Sequence, residues 1–145
     1  ADSSKGKAHI YELDSQTLVH TFDAPDAASV NFGRSVSIYN DMIVIFDKGI
    51  SGMHAYHQFA NKSWPTSPDQ SFSPLNDVGN GGEVAVGSTL MLVSNGMEDV
   101  TLTNNGAVYA YARVEDTWVY LGSLHALDQT GYFYFSGYQM PGGGR

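Results

Sequence analysis

Residues 106–111 read GAVYAY, and the same phrase stands twice earlier in the chain, as GKAHIY at 6–11 and SGMHAY at 51–56. The closing tyrosines, Tyr11, Tyr56 and Tyr111, lie 45 and then 55 residues apart, close to the periods at which sequence repeats build propeller blades or solenoid turns. Before each tyrosine the apolar positions alternate: Ala8 with Ile10, Met53 with Ala55, Val108 with Ala110. A glycine (Gly6, Gly52, Gly106) stands ahead of each pair. Alternation with period two behind a glycine predicts a half-buried strand entered from a tight turn.

A second strand is expected after each phrase, across a polar bend. The segments are LDSQTLVHTF (13–22), QFANKSW (58–64) and RVEDTWVYLGSL (113–124). Leu18 and Trp118 stand seven residues after their tyrosines and Trp64 eight, so a bulky apolar residue recurs just past the turn. Asp, Asn, Ser and Lys at the bends complete a hairpin pattern. Between phrases, FGRSVSIYNDMIVIF (32–46) and GGEVAVGSTLMLVS (81–94) each predict an alternating strand, a short turn (YND or GST) and a wholly apolar strand. Val36 and Val84 are 48 residues apart, in keeping with the same period. A further copy begins at TGYFYFSGYQM (130–140). The unit is four strands over roughly 45 to 55 residues, the content of one propeller blade.

The 145 residues suit one compact domain. A hydrophobic share of 42% against 15% charged supports a buried core rather than disorder. No stretch keeps a helical apolar period, while 16 glycines, nine tyrosines and seven phenylalanines favour an all-β chain. A net charge of −8 argues against nucleic acid and anionic lipid as partners. The absence of cysteine excludes disulfides, thiolate zinc sites and thiol nucleophiles. No apolar run reaches the roughly 20 residues of a membrane helix, and ADSSKGK at 1–7 has no signal-like apolar core.

The order Phe32-Gly33-x-Ser35-Val36, apolar strand, loop, Gly106-Ala107-Val108-Tyr109-x-Tyr111, turn, Trp118 resembles the FG-GAP repeat of integrin-α-type β-propellers. The Gly-Ala-Pro half is replaced by Phe46-Asp47-Lys48 in one copy and Ser94-Asn95-Gly96 in the next, and Gly81-Gly82 stands where Phe-Gly belongs in the second copy. The resemblance implies an all-β, propeller-type repeat of about three blade-equivalents, each of four antiparallel strands, in an incomplete ring. Residues 1–30 would end one blade, 31–75 and 76–128 would form two more, and 129–145 would start a further blade or a tail. It also implies a secreted or cell-surface adhesive module that recognises protein or glycan, and it does not imply an enzyme. Members of this family often bind calcium between the first two strands of a blade, but YND and GST are too short to supply six to eight oxygens, so no cofactor or metal is expected.

Propellers close with about four to eight blades, so the remaining blades are expected from a longer parent chain. The alternatives are a second copy, closing a lectin-like ring, and an open β-sandwich. For ligand binding the chosen loop is SNGMEDVTLTNNG (94–106), where Asn95, Glu98, Asp99, Asn104 and Asn105 offer oxygens to a cation or sugar. Asn61-Lys62-Ser63 is a glycosylation sequon. His9 and His54 occupy equivalent strand positions, where Tyr109 stands in the third copy, which argues against a metal pair. Trp64 and Trp118 are expected in packing between repeats, and NKSWPTSPDQSFSP (61–74) as a stiff crossover. No Gly-x-Ser-x-Gly elbow and no phosphate loop is present.

Overall fold

A computed structural model describes residues 5–73, 82–95 and 107–125. All regular structure among them is antiparallel β, and no helix occurs there. Strands β1 (Lys7–Tyr11) and β2 (Leu18–Asp23) form a two-stranded sheet. Strands β3 (Val36–Tyr39), β4 (Met42–Asp47), β5 (Gly52–His57) and β6 (Gln70–Phe72) form a second sheet in simple sequence order. Strands β7 (Glu83–Val86), β8 (Leu90–Asn95), β9 (Ala107–Val114) and β10 (Thr117–His125) repeat that order in a third. The three tyrosine phrases are thus β1, β5 and β9. Among the described residues the sheets do not close a ring.

Register fixes which residues share a face. In the second sheet, Ile43 lies opposite Tyr56 and Ile45 opposite His54, while Val44 lies opposite Ala55 and Phe46 opposite Met53. The first set is the tyrosine face, the second the back face. The back face, Met42, Val44, Phe46, Met53 and Ala55, is covered by the tyrosine face of the third sheet: Val84, Val86, Met91, Val93, Tyr109, Tyr111 and Trp118. The tyrosine face of the second sheet is covered in turn by the back face of the first, through Ala8, Phe22 and Ile10. Each sheet therefore lays its tyrosine face on the back of the sheet before it, and β4 is buried at every position.

The packing explains where the bulky residues past each turn go. Trp64 is buried against Phe22, ring centroids 5.8 Å apart, and Trp118 is buried in the next interface. Leu18, at the corresponding place, is 53% exposed, and among the described residues no sheet lies over its face. One expected strand differs. QFANKSW is a loop, and the partner of β5 is Gln70–Phe72. Pro65 and Pro68 cannot donate to a ladder, so the chain reaches its pairing register only after them. Phe59 N–H donates to Ser63 O at 2.8 Å and Asp69 N–H to Ala55 O at 2.9 Å, closing that loop on itself and onto β5.

Polar groups lock the sheets together. The hydroxyls of Ser35 and Ser37 accept from the backbone N–H groups of Val84 and Val86 at 3.0 Å each, serving donors that point off the free edge of β7. Gln70 grips β10 with both ends of its amide: Nε2 donates to Trp118 O at 3.0 Å, and Oε1 accepts from Trp118 N at 2.8 Å. Between the first and second sheets the backbones themselves meet. Phe32 N–H donates to Lys5 O at 2.8 Å, while the next residue, Gly33, at φ 86°, packs on the Lys7 backbone and donates to Phe46 O of its own sheet at 3.0 Å.

A Cβ at Gly33 would stand 2.6 Å from Lys7 O, in a backbone region that disfavours side chains. Gly33→Ala is accordingly expected to lower stability by about 2 kcal/mol or more, read as a lower denaturant midpoint at unchanged m-value. A midpoint within error of the unsubstituted chain would show that this junction yields at no cost.

Candidate functional site

Strand polarity gathers one set of connections at one rim. The link from β2 to β3 (24–35) and the turn from β4 to β5 (48–51) lie there, and there β8 ends and β9 begins. The stretch between those two strands contains Glu98, Asp99, Asn104 and Asn105, which lie outside the described residues, as does the side chain of Asn95. Its backbone is placed: Asn95 pairs with Ala107 as Asp47 pairs with Gly52. Asn95 is the third sheet's counterpart of Asp47, and Asp47 is the residue around which this rim is built.

Asp47 is fully buried. The wholly apolar run MIVIF carries it to the end of β4 between two sheets, where a carboxylate persists only if its oxygens are served. Oδ1 accepts from Gly49 N at 2.9 Å and, more weakly, from Val30 N at 3.3 Å, and Oδ2 accepts from the Ser29 hydroxyl. His54 Nε2 stands 3.5 Å from Oδ2, within ion-pair range and beyond a good hydrogen bond. The carboxylate therefore ties the loop at 29–30 and the turn at 48–51 to the strand they flank. Asp26 shapes the same loop, its Oδ1 accepting from Ala28 N at 2.8 Å.

His54 is buried between the first two sheets, with Nδ1 2.8 Å from the Ser71 hydroxyl. Burial holds its pKa below the ordinary histidine value, against the opposing pull of Asp47 and Asp26. Burial, with Asp47 nearby, likewise drives the Tyr56 phenol well above its usual range. Neither His54 Nε2 nor the Tyr56 hydroxyl has a protein hydrogen-bond partner among the described residues.

Ser71, His54 and Asp47 stand in the order of a nucleophile, base and orienting acid. The repeat gives that row a different meaning. His9 lies opposite Thr21 with Nδ1 3.0 Å from its hydroxyl, His54 lies opposite Ser71, and Tyr109 lies opposite Ser123. A hydroxyl facing a polar ring at the same ladder position in all three sheets is a cross-strand pair that recurs with the fold. His9 faces outward on the far side of the first sheet from His54, so the two imidazoles do not converge. Among the described residues no group of three or more His, Asp or Glu is placed to hold a metal ion.

Asn61 lies exposed at the tip of the loop after β5. Its Oδ1 accepts from Ser63 N at 3.0 Å and from the Ser63 hydroxyl at 2.7 Å. The sequence reading missed the anchoring role of Asp47 with Ser29, and the grips of Ser35, Ser37 and Gln70. For Asp47 a signal existed in an acidic residue closing an unbroken apolar run.

His54 gives the fold a directional pH dependence. Its native pKa is depressed, so its contribution is fully present above about 6.5, the ordinary value. It is lost as pH falls below that, where the unfolded chain takes up a proton that the buried ring resists. Thermal midpoints are expected to drop from pH 7 to pH 5, and His54→Gln to flatten part of that slope; an identical slope in the variant would assign the acid loss to other groups.

No protein-family model matches this chain, and neither a curated protein nor a solved structure matches it, so its function is argued from its own geometry.

Proposed function

We propose that the chain is a noncatalytic, propeller-type repeat module of a secreted or cell-surface protein, an adhesive scaffold that presents rim loops to a protein or glycan and belongs to a larger propeller assembly. The observation that carries the reading is the stack itself. Two four-strand meanders and a half-sheet lie tyrosine face on back face, with the His9–Thr21, His54–Ser71 and Tyr109–Ser123 pairs recurring in register. A scaffold of this kind holds loops at fixed spacing while leaving their sequence free to vary. Asp47 ties 29–30 and 48–51 to the rim, and Glu98, Asp99, Asn104 and Asn105 stand in the stretch of sequence that follows Asn95, the counterpart of Asp47. The setting outside the cell follows from the FG-GAP resemblance and the sequon at Asn61. A second reading, a lectin-like ring closed by association of copies, is favoured by the exposed Val119 and Leu124 on the back face of the third sheet.

The test is a screen of the chain on a glycan array and on immobilised extracellular-matrix proteins, repeated with Glu98, Asp99, Asn104 and Asn105 replaced by serine. A bound probe released about tenfold or more by the replacements, at unchanged thermal midpoint, is the expected result; binding that ignores all four replacements would move recognition elsewhere. Secretion from a eukaryotic host is expected to add a glycan mass that Asn61→Gln removes, and equal masses for the two proteins would show the sequon unused.

A further inference from the structure

The joint between the first and second sheets and the joint between the second and third are built alike, but acid acts on them differently. Into the first joint the second sheet brings His54 on β5 and Asp47 at the end of β4, both buried. At the equivalent ladder positions the third sheet carries Tyr109, opposite Val93 as His54 lies opposite Ile45, and Asn95. Histidine and aspartate change charge in acid, whereas tyrosine and asparagine do not. His54 is 2% exposed, and Phe32 from the loop before β3 lies against it, ring centroids 5.8 Å apart. The titratable groups around it are Asp47 from β4, Asp26 from that loop, Tyr56 on its own strand and, from β2, His20, which shares a face with Phe22.

We propose that the joint between the first and second sheets is an acid-operated release. Below about pH 6.5, β1 and β2 lift from the tyrosine face of the second sheet and uncover Ile43, Ile45, Tyr56 and Trp64, while the third sheet stays in place. The inference needs the stack of sheets and not the adhesive-module reading.

A proton taken up by His54 in the docked state finds no ready acceptor. Nδ1 is engaged with the Ser71 hydroxyl. Nε2 is 3.5 Å from Asp47 Oδ2, which already accepts from the Ser29 hydroxyl, and Oδ1 accepts from Gly49 and Val30. The Nε2 atoms of His54 and His20 are both buried without a protein partner among the described residues. A charged ring in that space needs water, and water reaches it when the first sheet lifts. Burial is the largest influence on His54 and lowers its pKa against the pull of Asp47 and Asp26. The docked state is therefore favoured above the ordinary histidine value, and the released state, which hydrates the ring, gains the proton below it. The second joint lacks this lever. It is held by the Ser35 and Ser37 hydroxyls and the Gln70 amide. His57, which reaches the back face of β5, has Asp69 Oδ2 3.1 Å from its Nδ1, a carboxylate beside any charge it takes.

Amide hydrogen exchange of the full 145-residue chain at pH 7 and pH 5, corrected for the pH dependence of chemical exchange, tests this. Peptides over 7–23 are expected to lose about tenfold or more of their protection at pH 5, while those over 83–94 and 107–114 keep theirs. His54→Gln is expected to hold the first sheet's protection at both values. The two tryptophans give a second readout that does not need that variant, since Trp64 lies in the first joint and Trp118 in the second. Trp118→Phe leaves Trp64, whose emission is expected to shift to the red between pH 7 and pH 5; Trp64→Phe leaves Trp118, whose emission is expected to stay. Unchanged protection over 7–23, equal loss in all three sheets, a shift shared by both tryptophans, or an opening that persists in His54→Gln overturns the inference.

Discussion

The structure depends on burying the second sheet from both sides. An antiparallel sheet ordinarily shows water one face, and its strands alternate accordingly, but β4 has no exposed position at all. Met42, Val44 and Phe46 face one neighbour while Ile43 and Ile45 face the other. Each fully buried side chain of this size contributes about 1.5 to 3 kcal/mol, so neither neighbouring sheet can be removed without exposing half of the strand. Burial of the second sheet therefore couples it to both neighbours, and among the described residues the first and third sheets are each covered on one face.

Apolar contact alone would leave the sheets free to slide, because hydrophobic burial has no preferred direction. The polar groups between them supply the direction. Ser35 and Ser37 place β7 to within a hydrogen bond, and Gln70 does the same for β10 at the opposite side of the sheets. Two inner grips and one outer grip fix both the spacing and the angle of the third sheet on the second. Asp47 acts within one rim instead: it costs desolvation at the end of an apolar strand, and the Ser29, Val30 and Gly49 donors offset that cost only when loop and turn are both in place.

Much of this was legible in the sequence, and the part that was not has a physical reason. Period-two alternation around Tyr11, Tyr56 and Tyr111 located β1, β5 and β9, and the short YND and GST turns located the hairpins β3–β4 and β7–β8. Trp64 and Trp118 were placed in packing between repeats because they recur after the tyrosines, and both are buried there. The strand expected at QFANKSW lies instead at Gln70–Phe72, since local alternation does not register that prolines defer the pairing. Asn95 was chosen for its loop, and register shows it as the counterpart of Asp47 at the end of β8; the other loop candidates lie outside the described residues. The hydroxyl and amide grips were invisible for a different reason. Each joins residues 48 or 49 positions apart, and single serines and glutamines carry no periodic signal.

The places of those grips carry different chemistry in the second and third sheets. On the second sheet, whose back receives the third, the joining face carries Ser35, Ser37 and Gln70; on the third sheet the equivalent places hold Glu83, Ala85 and Gly122. Apolar character is kept at the equivalent position in both sheets, by Phe72 and by Leu124. The apolar residues set how much surface a sheet can bury, and the hydroxyls and the amide set where its neighbour sits, so the two can vary independently from sheet to sheet.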